Sequence, residues 1–402
     1  MERNVPKLRF KGFNDEWEEK KIGELYKDLK AGSTPSKLNS NYFKGTIPWI
    51  TSGELKSKYI YSTIEYITEE AKESANLKLY DEGTLFIAIT GLEAPGTRGS
   101  CAINKVKATT NQSCLAFQKS NMINNEFTYY WYNLYGEYIG ITYTQGTKQQ
   151  SLNNKLVAEL KINIPSLKEQ ERIVNFLTKV DKIIEKQDEK VKNLEKYKKG
   201  MMQKIFSQEI RFKDENGEEY PEWEEKKLEQ CFLERVEKNK PDLELLSVSI
   251  SDGVKKRSEI ESKDNSSDDK SNYKLVEQND IVYNSMRMWQ GASGVSEYKG
   301  IVSPAYTVLI PLDNVNSIYF SYLFKLENTI NKFRKFSQGL TSDTWNLKYP
   351  LLKDIKVIVP CLNEQDKIAR FLTRISLIIE EENNKLEELK QWKKGLLQQM
   401  FV

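Results

Sequence analysis

The sequence predicts an α+β protein: two pseudo-repeated mixed α/β units separated by a long antiparallel two-helix coiled coil. Three observations predict it. The same framing motifs occur twice, about 200 residues apart. Each closing motif runs into a proline-free segment with apolar residues at alternating steps of four and three. Between the frames, short β-branched and aromatic runs bounded by glycine and polar turns give way to aromatic-rich helical stretches.

A chain of 402 residues is too long for one ordinary core and implies two or three domains. Its 61 Lys+Arg against 58 Asp+Glu leave a net charge of +3, so binding to a polyanion must come from local placement of charge. Histidine is absent, which excludes Ser-His, Cys-His and His-metal chemistry. The four cysteines (Cys101, Cys114, Cys231 and Cys361) form no Cys-x-x-Cys pair, which argues against zinc and suits a reducing compartment. Met1 to Phe10 has no apolar core of a signal peptide, and no run of about 18 apolar residues follows. A cytoplasmic protein with no membrane partner is expected.

The first frame opens with Leu8-Arg9-Phe10-Lys11 and Glu16-Trp17-Glu18-Glu19-Lys20-Lys21; the second opens with Ile210-Arg211-Phe212-Lys213 and Glu222-Trp223-Glu224-Glu225-Lys226-Lys227. Ile47 to Thr51, Thr84 to Ile89 and Ser113 to Phe117 read as strands, with counterparts at Asp280 to Tyr283 and Ala305 to Ile310. Phe127 to Ile139 and Ser317 to Phe336 read as helices, and Ser258 to Ser271 as a solvated or disordered loop. The frames close with Ile164-Pro165-Ser166-Leu167-Lys168-Glu169-Gln170 and Val359-Pro360-Cys361-Leu362-Asn363-Glu364-Gln365, 195 residues apart. The implied boundaries are residues 1–165 and 209–360 for the two units, and 166–208 and 361–402 for the two helices.

In the first helix the seam runs Ile173, Leu177, Val180, Ile184, Gln187, Val191, Leu194, Lys198, Met201 and Ile205. In the second it runs Ile368, Leu372, Ile375, Ile379, Glu382, Leu386, Leu389, Lys393, Leu396 and Met400. A period of 3.5 marks a coiled coil, and about 40 residues of helix extend for about 60 Å. The alternative is that each helix simply docks on its own globular half. An antiparallel register that offers each buried lysine an acceptor sets Lys198 against Glu382 and Gln187 against Lys393; otherwise both lysines snorkel from the edge of the seam. The circular order of the repeat, Phe206 leading into Ile210 while Phe401 stands opposite Leu8, also predicts that the two termini lie together.

No phosphate-binding glycine loop, dinucleotide fingerprint or amino-methyltransferase motif is present. Four loops remain as candidate contacts. Two follow strands and hold one arginine each amid small residues: Thr97 and Arg98 in Thr90 to Gly99, and Arg287 and Gln290 in Ser285 to Gly294. An arginine can read guanine through a bidentate contact; the alternative is an ion pair with one of the many glutamates. The other two precede the last strand of each unit: Gln145, Thr147, Lys148 and Gln149 in one, and Gln338, Thr341 and Ser342 in the other. Their hydroxyl, amide and basic groups suit phosphates and base edges; the alternative is an ordinary glycine turn.

The paired frames, together with Lys198-Lys199-Gly200 leading to Phe206 and Lys393-Lys394-Gly395 leading to Phe401, resemble the specificity (S) subunit of type I restriction–modification systems across essentially the whole chain. The resemblance implies a non-catalytic subunit with two target-recognition domains that read a bipartite site in double-stranded DNA. It implies that the coiled coil spaces them and docks two methyltransferase (M) subunits, and restriction (R) subunits through the complex. It also implies no cofactor on this chain, with S-adenosylmethionine, ATP and magnesium on the partner subunits. A two-headed coiled-coil adaptor that binds only proteins is the alternative reading.

Overall fold

The computed structural model describes residues 4–94, 96–144, 150–250, 253–260, 266–341 and 344–402. The chain divides into two compact units, Met1–Asp188 with Asn384–Val402, and Glu189–Asn383. This division cuts each long helix in two, so neither helix stands as a unit of its own.

In the first unit the central strand Leu85–Ala88 pairs antiparallel with Cys114–Phe117 and Cys101–Asn104; Lys30–Ala31 and Tyr59–Ile60 complete five strands. Every residue of the three inner strands is buried. Both faces are covered, which is why Leu-Phe-Ile-Ala is an unbroken apolar run rather than an alternating one. The helix Asn125–Tyr143 packs on this sheet and shares its core. In the second unit Phe232–Glu234, Tyr306–Pro311, Ile281–Asn284 and Ser293–Val295 form a four-stranded antiparallel sheet. Here the expected single helix over Ser317 to Phe336 is two, Ser317–Leu323 and Glu327–Phe336. The break lets Phe333 turn back onto Phe324, 5.2 Å away, while Phe320 sits 4.9 Å from Phe232, and all four rings are fully buried. Of the loop expected over Ser258 to Ser271, residues 261–265 lie outside the described residues, and its start lies in the 3-10 turn Arg257–Glu259.

The framing motifs bind one another. Glu18–Lys21 pairs antiparallel with Lys161–Ile164, and Glu224–Lys227 pairs in the same way with Lys356–Val359. Arg9 donates from Nε and Nη2 to the two carboxylate oxygens of Glu169, each at 2.8 Å. Arg211 reaches Glu364 in the same fashion at 3.4 and 3.0 Å. Both glutamates are buried, and the hydrogen bond that each accepts holds its arginine more firmly charged. The adjacent glutamine completes the joint. Gln170 donates to the Pro165 carbonyl and accepts from the Asn124 N–H; Gln365 does the same with Pro360 and Asn316. Asn124 and Asn316 are themselves the N-caps of Asn125–Tyr143 and Ser317–Leu323.

The long helices are Leu167–Phe206 and Leu362–Met400. Within the first unit the start of one lies antiparallel to the end of the other, with Ile173, Leu177 and Val180 in one core with Leu396, Met400 and Phe401. Within the second, Ile205 shares a core with Ile368 and Leu372. The ends of the seam thus serve as domain core as well as helix pairing. The termini meet as expected: the Leu8 N–H donates to the Gln399 carbonyl, and Phe401 packs on Trp17 at 6.3 Å.

The register differs from the expected one by about one heptad. Glu382 pairs at 2.8 Å with Lys190, eight positions before Lys198, and Lys393 pairs at 2.6 Å with Asp181 rather than lying opposite Gln187. The cause is that both seam lysines turn toward the globular part of their unit. Lys393 meets Asp181, which accepts the Tyr130 hydroxyl; Lys58 adds bonds to Tyr130, Thr178 and Glu126. Lys198 lies 5.1 Å over the Tyr322 ring, whose hydroxyl bonds Thr373 and Ser376. The 195-residue repeat maps Thr178 onto Thr373 and Asp181 onto Ser376, so the second site lacks the carboxylate of the first. Burial pushes Lys58 and Lys198 down, and Glu126 opposes this for Lys58. Among the described residues, no helix is long and apolar enough to cross a membrane.

Two outcomes follow from the joint. Arg9→Ala strands the buried Glu169 carboxylate and should cost about 3 kcal/mol, whereas Arg9→Met with Glu169→Leu should recover most of it; urea unfolding measures both. A circular permutant that links the termini and opens at Gln208 should fold, with an unchanged far-UV spectrum and melting temperature within a few degrees of the parent.

Candidate nucleic-acid interface

In each unit the loop after the central strand is clasped by the backbone to the loop before a short helix, Asn154–Glu159 or Tyr349–Leu352, that leads into the closing strand. The Leu152 N–H donates to the Ile89 carbonyl, and the Leu347 N–H to the Ser285 carbonyl. Both leucines are buried, so apolar packing pins the end of one loop beneath the start of the other. The described ends of the two candidate loops in each unit are therefore joined although they are distant in sequence.

In the first unit the Arg98 loop seats on a glycine face of the helix Asn125–Tyr143. A Cβ at Gly136 would lie 2.4 Å from the Gly99 Cα, and one at Gly140 would lie 2.9 Å from the Arg98 side chain. Sequence reasoning missed this Gly-x-x-x-Gly pair, whose spacing places both glycines on one helical face. Arg98 itself donates to Glu137 at 3.2 Å and to Gln150 at 2.9 Å, so the glutamate ion pair is what forms. Thr97 spends its hydroxyl on the Gly91 and Ala94 carbonyls and acts as a brace for its loop. Gln145, Thr147, Lys148 and Gln149 lie outside the described residues, as does Ser342.

The second unit is seated differently. Trp289 and Trp345, one from each loop, meet edge to face at 5.3 Å, with the Arg334 guanidinium 5.9 Å from the Trp289 ring. Lys325 donates to the Gly291 carbonyl at 2.6 Å and to the Ile250 carbonyl at 3.0 Å, tying the loop to the neighbouring hairpin Leu246–Ser249 and Gly253–Lys256. Burial pushes its ammonium down to about 8, and the two carbonyl acceptors are what its protons meet. Arg287 is exposed and has no side-chain partner among the described residues. Arg334, Lys335 and Lys348, which flank the Gln338 loop in sequence, are also exposed. Gln290 holds its amide oxygen buried without a partner among the described residues, whereas Gln338 and Thr341 are exposed. Gln338 exchanges backbone hydrogen bonds with Asn346. Among the described residues no group of three or more cysteine or carboxylate side chains is placed to hold a metal.

Two like-framed α/β units, each presenting unlike loops from one clasped edge, define a duplicated recognition protein. A family profile, the type I restriction modification DNA specificity domain, matches residues 14–196 and again 221–391. The chain is 24% identical over 435 positions to the type I restriction enzyme MjaVIII specificity subunit of Methanocaldococcus jannaschii, covering 98% of this chain and 94% of that one. The MjaIX specificity subunit of the same organism is 29% identical over 243 positions, 57% of this chain and 55% of its own length. The EcoR124I/EcoR124II specificity subunit of Escherichia coli is 31% identical over 43% of each chain. The S subunit from M. genitalium shares the fold at a TM-score of 0.59 and 18% identity over 99% of both chains. A second type I R-M structure, solved for complex assembly and conformational transition, follows at 0.55 and 15% identity over 96% of this chain and 97% of that one. This chain belongs to the type I restriction–modification specificity subunits, the DNA-recognition components of their systems.

The two arginines should part company experimentally. Arg287→Ala should relax specificity at one base pair, at a cost of about 1–3 kcal/mol in competition binding. Arg98→Ala should first raise amide exchange across residues 90–99 in the DNA-free protein, which Arg287→Ala should not do for its own loop.

Proposed function

We propose that this chain reads a bipartite DNA target, one half-site per unit, and carries no chemistry of its own. The observation that supports it most is the contrast between constant frame and variable edge. The Arg–Glu–Gln joint is repeated residue for residue, while the clasped loops are polar and glycine-seated in one unit and tryptophan-seated in the other. One small reader covers few base pairs, and each wrong pair costs roughly 1–3 kcal/mol. Two readers on one chain multiply their discrimination, because the second encounter is intramolecular.

The helices supply the docking faces for two methyltransferase subunits, and through these for restriction subunits. Ile183 and Ile378 are 48% and 39% exposed, and Tyr197 and Trp392 are 52% and 47% exposed, each pair separated by the 195 residues of the repeat. The Asp181–Lys393 ion pair sets Ile183 and Trp392 at one level of the first unit's helix pair. Tyr197 and Ile378 belong to the second. Large apolar side chains left in water at repeated positions suit a partner bound in two copies. On this reading S-adenosylmethionine, ATP and magnesium bind the partners, and the protein works in the cytoplasm.

Exchanging residues 25–160 for another interior of the family tests the reading. Methylome sequencing of the host should show one half of the methylated motif changed and the other kept. A change in both halves contradicts one half-site per unit.

A further inference from the structure

The two clasped edges differ in chemistry. In the second unit, Leu340 is fully exposed at the tip of its loop, and Met286, on the clasped partner loop, is 45% exposed. The Trp289–Trp345 pair lies between the two loops, and the Trp289 indole N–H is already donated to the Met286 carbonyl at 3.0 Å. Trp289 therefore offers ring surface and not a hydrogen-bond donor. Leu340 is not a loose tip. Gly339 precedes it at φ +148°, and a Cβ there would lie 2.6 Å from the Thr344 carbonyl oxygen, so only glycine admits the close return of the loop. The Gln338–Asn346 backbone pair closes the loop below, and the Thr341 N–H donates to the Thr344 hydroxyl at 3.2 Å. In the matched loop of the first half, Gln145-Gly146 is followed by Thr147 where Gln338-Gly339 is followed by Leu340.

This apolar side chain stands in water on a loop clasped to the one that carries exposed Arg287, and Arg334 lies over the Trp289 ring of that loop, which are charges that suit DNA. Along the major groove every base edge offers hydrogen-bond donors or acceptors, and the apolar group there is the thymine methyl. Resting on the reading that this unit recognises a half-site, we propose that it reads at least one T·A pair of that half-site through the thymine methyl. Leu340 and Met286 form the contact, and the tryptophan pair holds the two loops in place. Arg287 then reads a neighbouring position by hydrogen bonding, so the second half-site combines a methyl contact with a polar one.

The probe is deoxyuridine, which pairs as thymidine does and lacks only the methyl. The protein assembled with its methyltransferase partner is titrated with duplexes carrying its methylated motif, each thymine of the second unit's half-site replaced singly by deoxyuridine. At one position binding should weaken roughly fourfold, the factor that one buried methyl carries. Leu340→Ala or Met286→Ala should bind the thymine duplex several-fold more weakly and lose the difference between thymine and uracil there. A half-site without a T·A pair, uracil tolerated at every position, or undiminished uracil sensitivity in both variants overturns the proposal. If the parent complex discriminates its motif from a scrambled duplex while uracil is tolerated, only this contact fails. If it does not discriminate at all, the half-site reading itself fails.

Discussion

The buried ion pair between the opening arginine and the closing glutamate is the interaction on which the rest of each unit depends. It joins residues 160 positions apart in one unit and 153 apart in the other. A buried carboxylate without a partner is costly, so the pair fixes where the chain must return before the long helix begins. The neighbouring glutamine then carries the same constraint to the N-cap of the first packed helix. Strand pairing between Glu18–Lys21 and Lys161–Ile164, and its counterpart, closes the frame around the interior. With the frame fixed in this way, the interior sheets need only fill the space, which is how a five-stranded main sheet in one unit and a four-stranded main sheet in the other meet the same joint.

The repeat is not perfect, and its departures are informative. Asp181 gives Lys393 a carboxylate, whereas Ser376 leaves Lys198 with a hydroxyl and an aromatic face nearby. Lys58 and Glu126 thicken the first network. Trp223 donates to Glu364, while the indole N–H of Trp17 is buried without a partner among the described residues. The first unit spends its polar groups at the junction of helix and domain, and the second at the root of its frame. The same seam is thus held to the two units by different chemistry.

Much of the architecture is legible in the sequence because it is local. The strands at Leu85–Ala88 and Ile281–Asn284 follow from apolar runs bounded by turns, and both long helices follow from their periodicity. The break after Leu323 carries no glycine or proline to mark it; its one trace is that Phe333, nine residues after Phe324, would fall on the opposite face of one continuous helix. The helix register is not legible. A seam lysine tells only that an acceptor is needed, and the acceptors that win, Asp181 and the Tyr322 ring, lie off the seam. At the candidate interface the loops are visible but not their partners. Arg98 finds Glu137 and Gln150, 39 and 52 residues away, and the glycine face that seats it looks like two ordinary helical residues.

The central claim is that two separately framed edges each read part of one DNA site. The most direct measurement is the affinity of the protein, assembled with its methyltransferase partner, for three duplexes at one fixed salt concentration: the whole motif, and the motif with either half scrambled. The account predicts that scrambling either half weakens binding at least about tenfold, since several base pairs at roughly 1–3 kcal/mol each are lost. Unchanged affinity after scrambling one half would contradict it.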